Sequence, residues 1–154
     1  MTKNPFSQPM RELMNDPQFD WARSRTRRRQ LVGAFAGVAI AMPILCWVLG
    51  SVWIIAAMLL PLVLVMGSLN ASVRGLTELR ARDLDERETR TREPVYTKLY
   101  WPGVFVATVA GFFIGNIGSA DQLLVPALGL SFFNVAIGLP TLWLAWTLPD
   151  EPTD

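Results

Sequence analysis

The chain has 154 residues, of which 51% are hydrophobic, and its mean hydropathy is +0.31. A soluble domain can hold as many apolar residues but interleaves them with polar ones, whereas here they are segregated into long blocks. The formal net charge of +1 gives no electrostatic reason to expect a nucleic-acid partner, and one Cys without any His excludes an intrachain disulfide and a Cys/His zinc site.

Residues 1–29 form a polar N-terminal arm, predicted to be cytoplasmic, that contains seven of the fourteen Lys and Arg residues. Its low apolar content favours disorder for most of the arm, and folding against a partner is the alternative. Arginines directly before an apolar block favour a cytoplasmic start of the first span. We expect contacts to anionic lipid headgroups or to a protein partner. The residues concerned are Arg23, Arg25, Arg27, Arg28 and Arg29.

Residues 30–69 contain the first predicted transmembrane hairpin. The stretch 31–69 carries no charged residue, and as one helix it would reach about 58 Å, nearly twice the ~30 Å hydrocarbon core. Gly50 and Ser51 near its middle suit a reversal. We therefore predict spans at 31–49 and 52–69. The block is too long for a signal peptide and runs into a second span, so we expect no cleavage.

Two predicted spans, the first and the third, carry a small residue at every fourth position, which places these residues on one face of each helix. Such faces allow the backbones of two helices to approach closely in a membrane. We predict that the face on the third span packs against the face on the first. The helix-packing residues are Gly33, Gly37, Ala41, Gly103, Ala107, Gly111 and Gly115.

Residues 70–99 form a charged linker that holds the other seven basic residues. Acidic and basic residues at spacings of three and four support an exposed helix, so a solvated helical hairpin is favoured and a partner-docking helix is the alternative. Glu93 and Pro94 predict a break before the third span.

The segment Leu84-Asp-Glu-Arg-Glu88 within this linker resembles the cytoplasmic L-D-E-R-[EQ] segment of small, uncharacterised bacterial multi-span membrane proteins. The resemblance covers the linker and the pattern of spans. It implies a membrane protein and no particular chemistry, so it assigns no catalytic residue.

Residues 100–148 contain the second predicted hairpin, with spans at 100–117 and at about 127–148, and residues 149–154 form an acidic tail. Asn116 and Asn134 are polar groups inside these spans. Hydrogen bonding between helices is the favoured role for them, and contact with a transported substrate is the alternative.

These observations together predict an all-α membrane protein with four transmembrane helices, arranged as two hairpins joined by a charged cytoplasmic helical linker. The two outer loops have no Lys or Arg, so both termini should be cytoplasmic in a bacterial inner membrane. No predicted span contains an ionisable carboxylate, Lys or His, which argues against a proton-coupled transporter.

No catalytic or nucleotide-binding motif appears in the chain. We therefore predict no catalytic residue, no cofactor, no metal site and no enzymatic activity. The favoured function is that of a structural or accessory subunit that packs against itself, as a homo-oligomer, or against a larger membrane complex. A small oligomeric transporter or channel is the alternative.

Overall fold

Four long helices make up most of the computed structural model, which describes residues 17–73, 76–77, 86–115 and 123–150. All four are long and apolar enough to cross a membrane, which confirms the prediction of an all-α structure with four helices that could span a bilayer. A short 3-10 helix at Pro17–Ala22 precedes them. The helices are α1 (Arg25–Leu49), α2 (Trp53–Ser72), α3 (Glu86–Gly115) and α4 (Leu124–Thr147).

Helix α1 begins six residues before the apolar block and therefore includes Arg25 and the three arginines at positions 27–29. The Ser24 hydroxyl accepts a hydrogen bond from the Arg27 backbone N–H and caps the first turn. The helix ends at Gly50, which adopts the left-handed conformation with φ of 60° and donates its N–H to the carbonyl of Cys46 at 3.0 Å. This is the usual role of a glycine after the last helical turn, and α2 follows three residues later.

Helix α4 is the centre of the bundle. It packs extensively against α1 and α3 and makes a smaller contact with α2, while α1 also packs against α2. Its inward residues are mostly small, which lets neighbouring backbones approach closely. The buried residues of α4 are Val125, Ala127, Gly129, Ser131, Gly138, Thr141, Leu144 and Ala145.

Helix α3 is longer than the span predicted for it, and the expected break at Pro94 is wrong: the helix continues through Pro94 and Pro102. Proline removes one backbone donor and leaves the carbonyl four residues earlier without its helical partner. For Pro94 this is the carbonyl of Arg90, an exposed residue that water can solvate, and the Arg90–Glu86 ion pair at 2.6 Å supports the same turn. Thirty residues reach about 45 Å, so roughly the first third of α3 extends beyond a ~30 Å core.

Residues 73, 76 and 77, which we call the segment after α2, contact the bundle. Val73 and Leu76 are buried in the hydrophobic core, and Tyr96 of α3 donates a hydrogen bond to the carbonyl of Thr77 at 2.9 Å. Residues 84 and 85 of the L-D-E-R-E segment lie outside the described residues, and residues 86–88 form the first turn of α3.

The start of α1 and the end of α4 meet at one end of the molecule, which we call the arginine end. Residues 17–22 of the arm form the 3-10 helix and pack against α2, with Ala22 fully buried. Residues 1–16 lie outside the described residues, as does the acidic tail beyond Asp150.

Candidate lipid and partner interface

Arg28 is buried at the arginine end and joins α1 to the end of α4. Its side chain is only 3% exposed, and its Nη2 donates hydrogen bonds to the carbonyl oxygens of Leu148 at 2.5 Å and Pro149 at 2.9 Å. The carbonyl of Leu148, the C-cap residue of α4, lacks an intrahelical partner and carries partial negative charge, so a guanidinium is a favourable donor there; Pro149 lies just beyond the helix. Arg28 therefore acts as a cap for α4, and it does not face a lipid or a partner as the sequence suggested.

Asp150 makes the reciprocal contact at the start of α1. Its Oδ1 accepts a hydrogen bond from the Arg25 backbone N–H at 2.5 Å and lies 4.0 Å from Nη2 of Arg28. A carboxylate is favoured at a helix N-terminus because the free N–H groups there carry partial positive charge. The start of α1 thus receives a negative charge from the residues that follow α4, and the end of α4 receives a positive charge from α1.

The other four arginines have different surroundings. Arg23 forms an ion pair with Asp20, and the guanidinium of Arg27 donates a hydrogen bond to the Gln30 side chain at 3.4 Å. The guanidinium of Arg29 lies over the ring of Trp146 at 4.9 Å from its centroid. Within the described residues, neither Arg25 nor Arg29 forms an ion pair with a carboxylate.

The two predicted faces of small residues do not pack against each other within the chain. A Cβ atom added at Gly33, Gly37, Gly103 or Gly111 would meet nothing within 4 Å. Ala107 is exposed and Ala41 is half-buried, while the surroundings of Gly115 lie outside what the structure describes. The expected contact between these faces is therefore wrong for the single chain, because α3 packs against α4 and α1 packs against α2 and α4.

Among the described glycines, two on α4 lie in close contact with a neighbouring helix instead. A Cβ at Gly129 would lie 2.7 Å from Cγ1 and 3.3 Å from the backbone nitrogen of Ile114 on α3. A Cβ at Gly138 would lie 3.1 Å from Cε of Met66 on α2. Only a residue without a side chain fits at Gly129 without displacing the α3 backbone.

A hydrogen bond between helices repairs the interruption of α1 at Pro43. Pro43 cannot donate to the carbonyl of Ala39, four residues earlier. The hydroxyl of Ser131 on α4 donates to this carbonyl at 2.8 Å, at a buried position. Pro43 alone indicates that the carbonyl of Ala39 needs a donor, but the sequence does not indicate which span supplies it.

A second polar cluster lies nearer the arginine end, between α2, α4 and the segment after α2. Thr141 of α4 donates to Oδ1 of Asn70 at 3.0 Å, and its hydroxyl lies 2.9 Å from that of Thr77. Asn70 and Thr141 are both buried. Asn134, by contrast, donates to the carbonyl of Leu130 within its own helix at 2.8 Å, and Asn116 lies outside the described residues.

The described residues include no group of three or more His, Cys, Asp or Glu side chains that could hold a metal ion. Cys46 is buried in the core. Two features of the described residues could therefore bind a ligand or a partner. One is the arginine end, with its guanidinium groups and Trp146. The other is the side of α3 that contains Gly103, Ala107 and Gly111 and packs against no other helix. Comparisons of the chain with models of protein families, with curated proteins and with solved structures found no match.

Proposed function

We propose that the chain is a non-enzymatic, multi-pass protein of the bacterial inner membrane that acts as a structural or accessory subunit. In this proposal its two transmembrane hairpins are joined by a charged cytoplasmic linker, and both termini are cytoplasmic. The face on α3 that contains Gly103, Ala107 and Gly111 packs against a second copy or against a helix of a larger membrane complex.

The observation that supports this proposal is the small extent to which α3 is covered. In the most apolar 18-residue stretch of α3, 6% is buried inside the structure, whereas 33% of the corresponding stretch of α4 is buried. Yet the uncovered side of α3 contains Gly103, Ala107 and Gly111, where the backbone itself is accessible. Flexible lipid tails pack less well into such a groove than another helix does, so a partner helix is favoured there.

The distribution of charge supports the cytoplasmic placement of the arginine end. All Lys and Arg residues fall within residues 1–29 and 71–99, whereas the connection between α1 and α2 has none. Basic residues accumulate on the cytoplasmic side of bacterial spans. In a Cys46→Ala background, a single Cys at Ser51 should react with a membrane-impermeant reagent added from outside. Reaction only from the cytoplasmic side would contradict this orientation.

Purification in a mild detergent tests the accessory role. The unmodified chain should bring a partner subunit or a second copy with it, and Gly111→Leu should reduce this association by about tenfold or more, because a leucine fills the groove on α3. The stability of the isolated Gly111→Leu chain should not change, since the added side chain meets no neighbour within it.

Ala56→Leu is the matched control, because Ala56 is a small, exposed residue on α2 and lies outside the proposed face. This variant should retain the partner. If both variants retain it, or if both lose it, the α3 face is not the interface. A homo-oligomer that moves solute across liposomes would instead support the alternative function, a small oligomeric transporter or channel.

A further inference from the structure

Arg25, Arg29 and Trp146 form a basic and aromatic surface at the arginine end, which we call the arginine ledge. Arg25 and Arg29 are four residues apart on α1, so their side chains lie on the same side of the helix. Trp146 of α4 contacts the guanidinium of Arg29 and remains 48% exposed. The Trp146 ring thus packs against one face of the Arg29 guanidinium, and part of the ring remains accessible from outside the bundle.

The positive charge of the ledge is not balanced by the described part of the chain. The carboxylate of Asp20 pairs with Arg23, and that of Asp150 accepts from the Arg25 backbone and faces Arg28. The side chains of Arg25 and Arg29 have no such partner among the described residues. A guanidinium at the edge of a low-dielectric region is costly without a counter-ion, so an anion from outside the chain is favoured here.

The position of the ledge relative to the uncharged block of α1 indicates where this anion comes from. Arg29 and Arg25 precede Leu31, the first residue of the uncharged block, by two and six residues. They therefore lie about 3 Å and about 9 Å beyond the start of that block, at the level of lipid headgroups. Tryptophan is also enriched at this level of a membrane, which agrees with the position of Trp146.

We propose that the arginine ledge binds the phosphate of an anionic phospholipid. The guanidinium of Arg29, held by Trp146, and that of Arg25 donate hydrogen bonds to the phosphate oxygens, a geometry that suits the planar guanidinium. Arg28 is not part of this site, because its Nη2 donates to the carbonyls of Leu148 and Pro149. The inference rests on the proposed placement of the arginine end at the cytoplasmic leaflet, where anionic lipids are available.

A lipid titration of the full chain in neutral detergent tests the site, with bound lipid counted by native mass spectrometry. Phosphatidylglycerol should bind to the wild type more tightly than phosphatidylcholine. Each arginine near an anionic headgroup contributes about fivefold in affinity, so Arg25→Gln/Arg29→Gln should bind phosphatidylglycerol about thirtyfold more weakly. The lipid-free double variant should still fold, with a Tm only a few degrees below that of the wild type, since the change removes the contact of Arg29 with Trp146 but no hydrogen bond of either guanidinium between helices.

Arg27→Gln is the matched control, because it removes the same charge from the same helix but away from the ledge. It should change the affinity by no more than about twofold. If it weakens binding as much as Arg29→Gln, the surface attracts lipid diffusely and the ledge is not a site. Unchanged binding by the double variant, equal binding of phosphatidylcholine, or displacement of the lipid by inorganic phosphate at equal concentration would each overturn the proposal.

Trp146→Leu provides a second test in case the double variant does not fold. It leaves both charges in place and removes the ring against which Arg29 lies. Binding of phosphatidylglycerol should then be several-fold weaker, and unchanged binding would overturn the proposal. The result is distinguishable from a failure of the proposed function, because an accessory role is measured by co-purification of a partner and the orientation by labelling at Ser51.

Discussion

Helices α3 and α4 both contain glycines, but two glycines of α4 pack against other helices of the chain while two glycines of α3 do not. Gly129 and Gly138 of α4 lie against Ile114 and Met66, whereas Gly103 and Gly111 of α3 meet nothing. The difference shows that the spacing of small residues identifies a face that another helix can approach closely. It does not identify which helix approaches, or whether that helix belongs to the same chain.

Polar groups explain part of this difference. The face of α4 includes Ser131 and Thr141, which donate hydrogen bonds to acceptors on α1 and α2. The hydroxyl of Thr108 on α3 donates to the carbonyl of Val104 in its own helix. In a bilayer, hydrophobicity does not drive helices together, and close packing and hydrogen bonds between helices decide their arrangement. Helix α4 forms close contacts with its neighbours and also hydrogen bonds to them.

The largest effect should come from filling the close contact between α3 and α4 at Gly129. Gly129→Leu places a side chain where even a Cβ would lie 3.3 Å from the backbone nitrogen of Ile114. We expect a loss of about 3 kcal/mol in the free energy of unfolding, or failure to fold, because the helices must separate. Unfolding of the purified chain by added SDS measures this change.

Gly111→Leu is the control on α3 and should leave the stability of the isolated chain unchanged, since nothing lies within 4 Å of the added Cβ. Gly129→Ala should have an intermediate effect of about 1 kcal/mol, because the side chain of Ile114 can move but its backbone cannot. Equal losses for the two leucine variants would show that the two helices do not differ as described.

A smaller effect should follow from removing the hydrogen bond between α4 and α1. Ser131→Ala leaves the carbonyl of Ala39 without a donor in an apolar region, which should cost about 1 to 1.5 kcal/mol in the free energy of unfolding. In a Pro43→Ala background the helix can supply its own backbone donor, so Ser131→Ala should then cost less than about 0.5 kcal/mol. SDS unfolding of the four chains of this double-mutant cycle gives the coupling between the two residues.

Ser68→Ala is the control for the loss of a hydroxyl from a helix. The hydroxyl of Ser68 donates to the carbonyl of Leu64 in the same helix at 2.9 Å. Since a backbone donor is also available to that carbonyl, we expect a change below about 0.5 kcal/mol. If Ser131→Ala costs the same with and without Pro43, the role of Ser131 in repairing the proline interruption is disproved.

The sequence predicts the parts of this fold that depend on local rules. Long uncharged blocks predicted the four spans, and Gly50 predicted the end of the first. The partners of the helices were not predictable, because α4 is apolar on every side and its composition does not indicate an inward face. The same limit applies to the arginine end, where the cap that Arg28 provides for α4 joins residues 120 positions apart. Local composition predicts that such arginines lie near the membrane surface but does not indicate what each one contacts.

The smallest effect should come from Thr141, at the second polar cluster. Thr141→Val keeps the shape of the side chain and removes its hydrogen bonds to Asn70 and Thr77. We expect a loss of about 1 kcal/mol in the free energy of unfolding, which is typical of a hydrogen bond between membrane helices. Thr108→Val on α3 should have almost no effect, because that hydroxyl is exposed and contacts only its own helix.

Hydrogen exchange can distinguish a local role of this cluster from a general loss of stability. Thr77 is held by Thr141 through its hydroxyl and by Tyr96 through its carbonyl, so it attaches the segment after α2 to both α4 and α3. Thr141→Val should therefore accelerate exchange at residues 76 and 77 more than at the middle of α4. A uniform acceleration would instead mean that the cluster stabilises the whole bundle and does not specifically hold this segment in place.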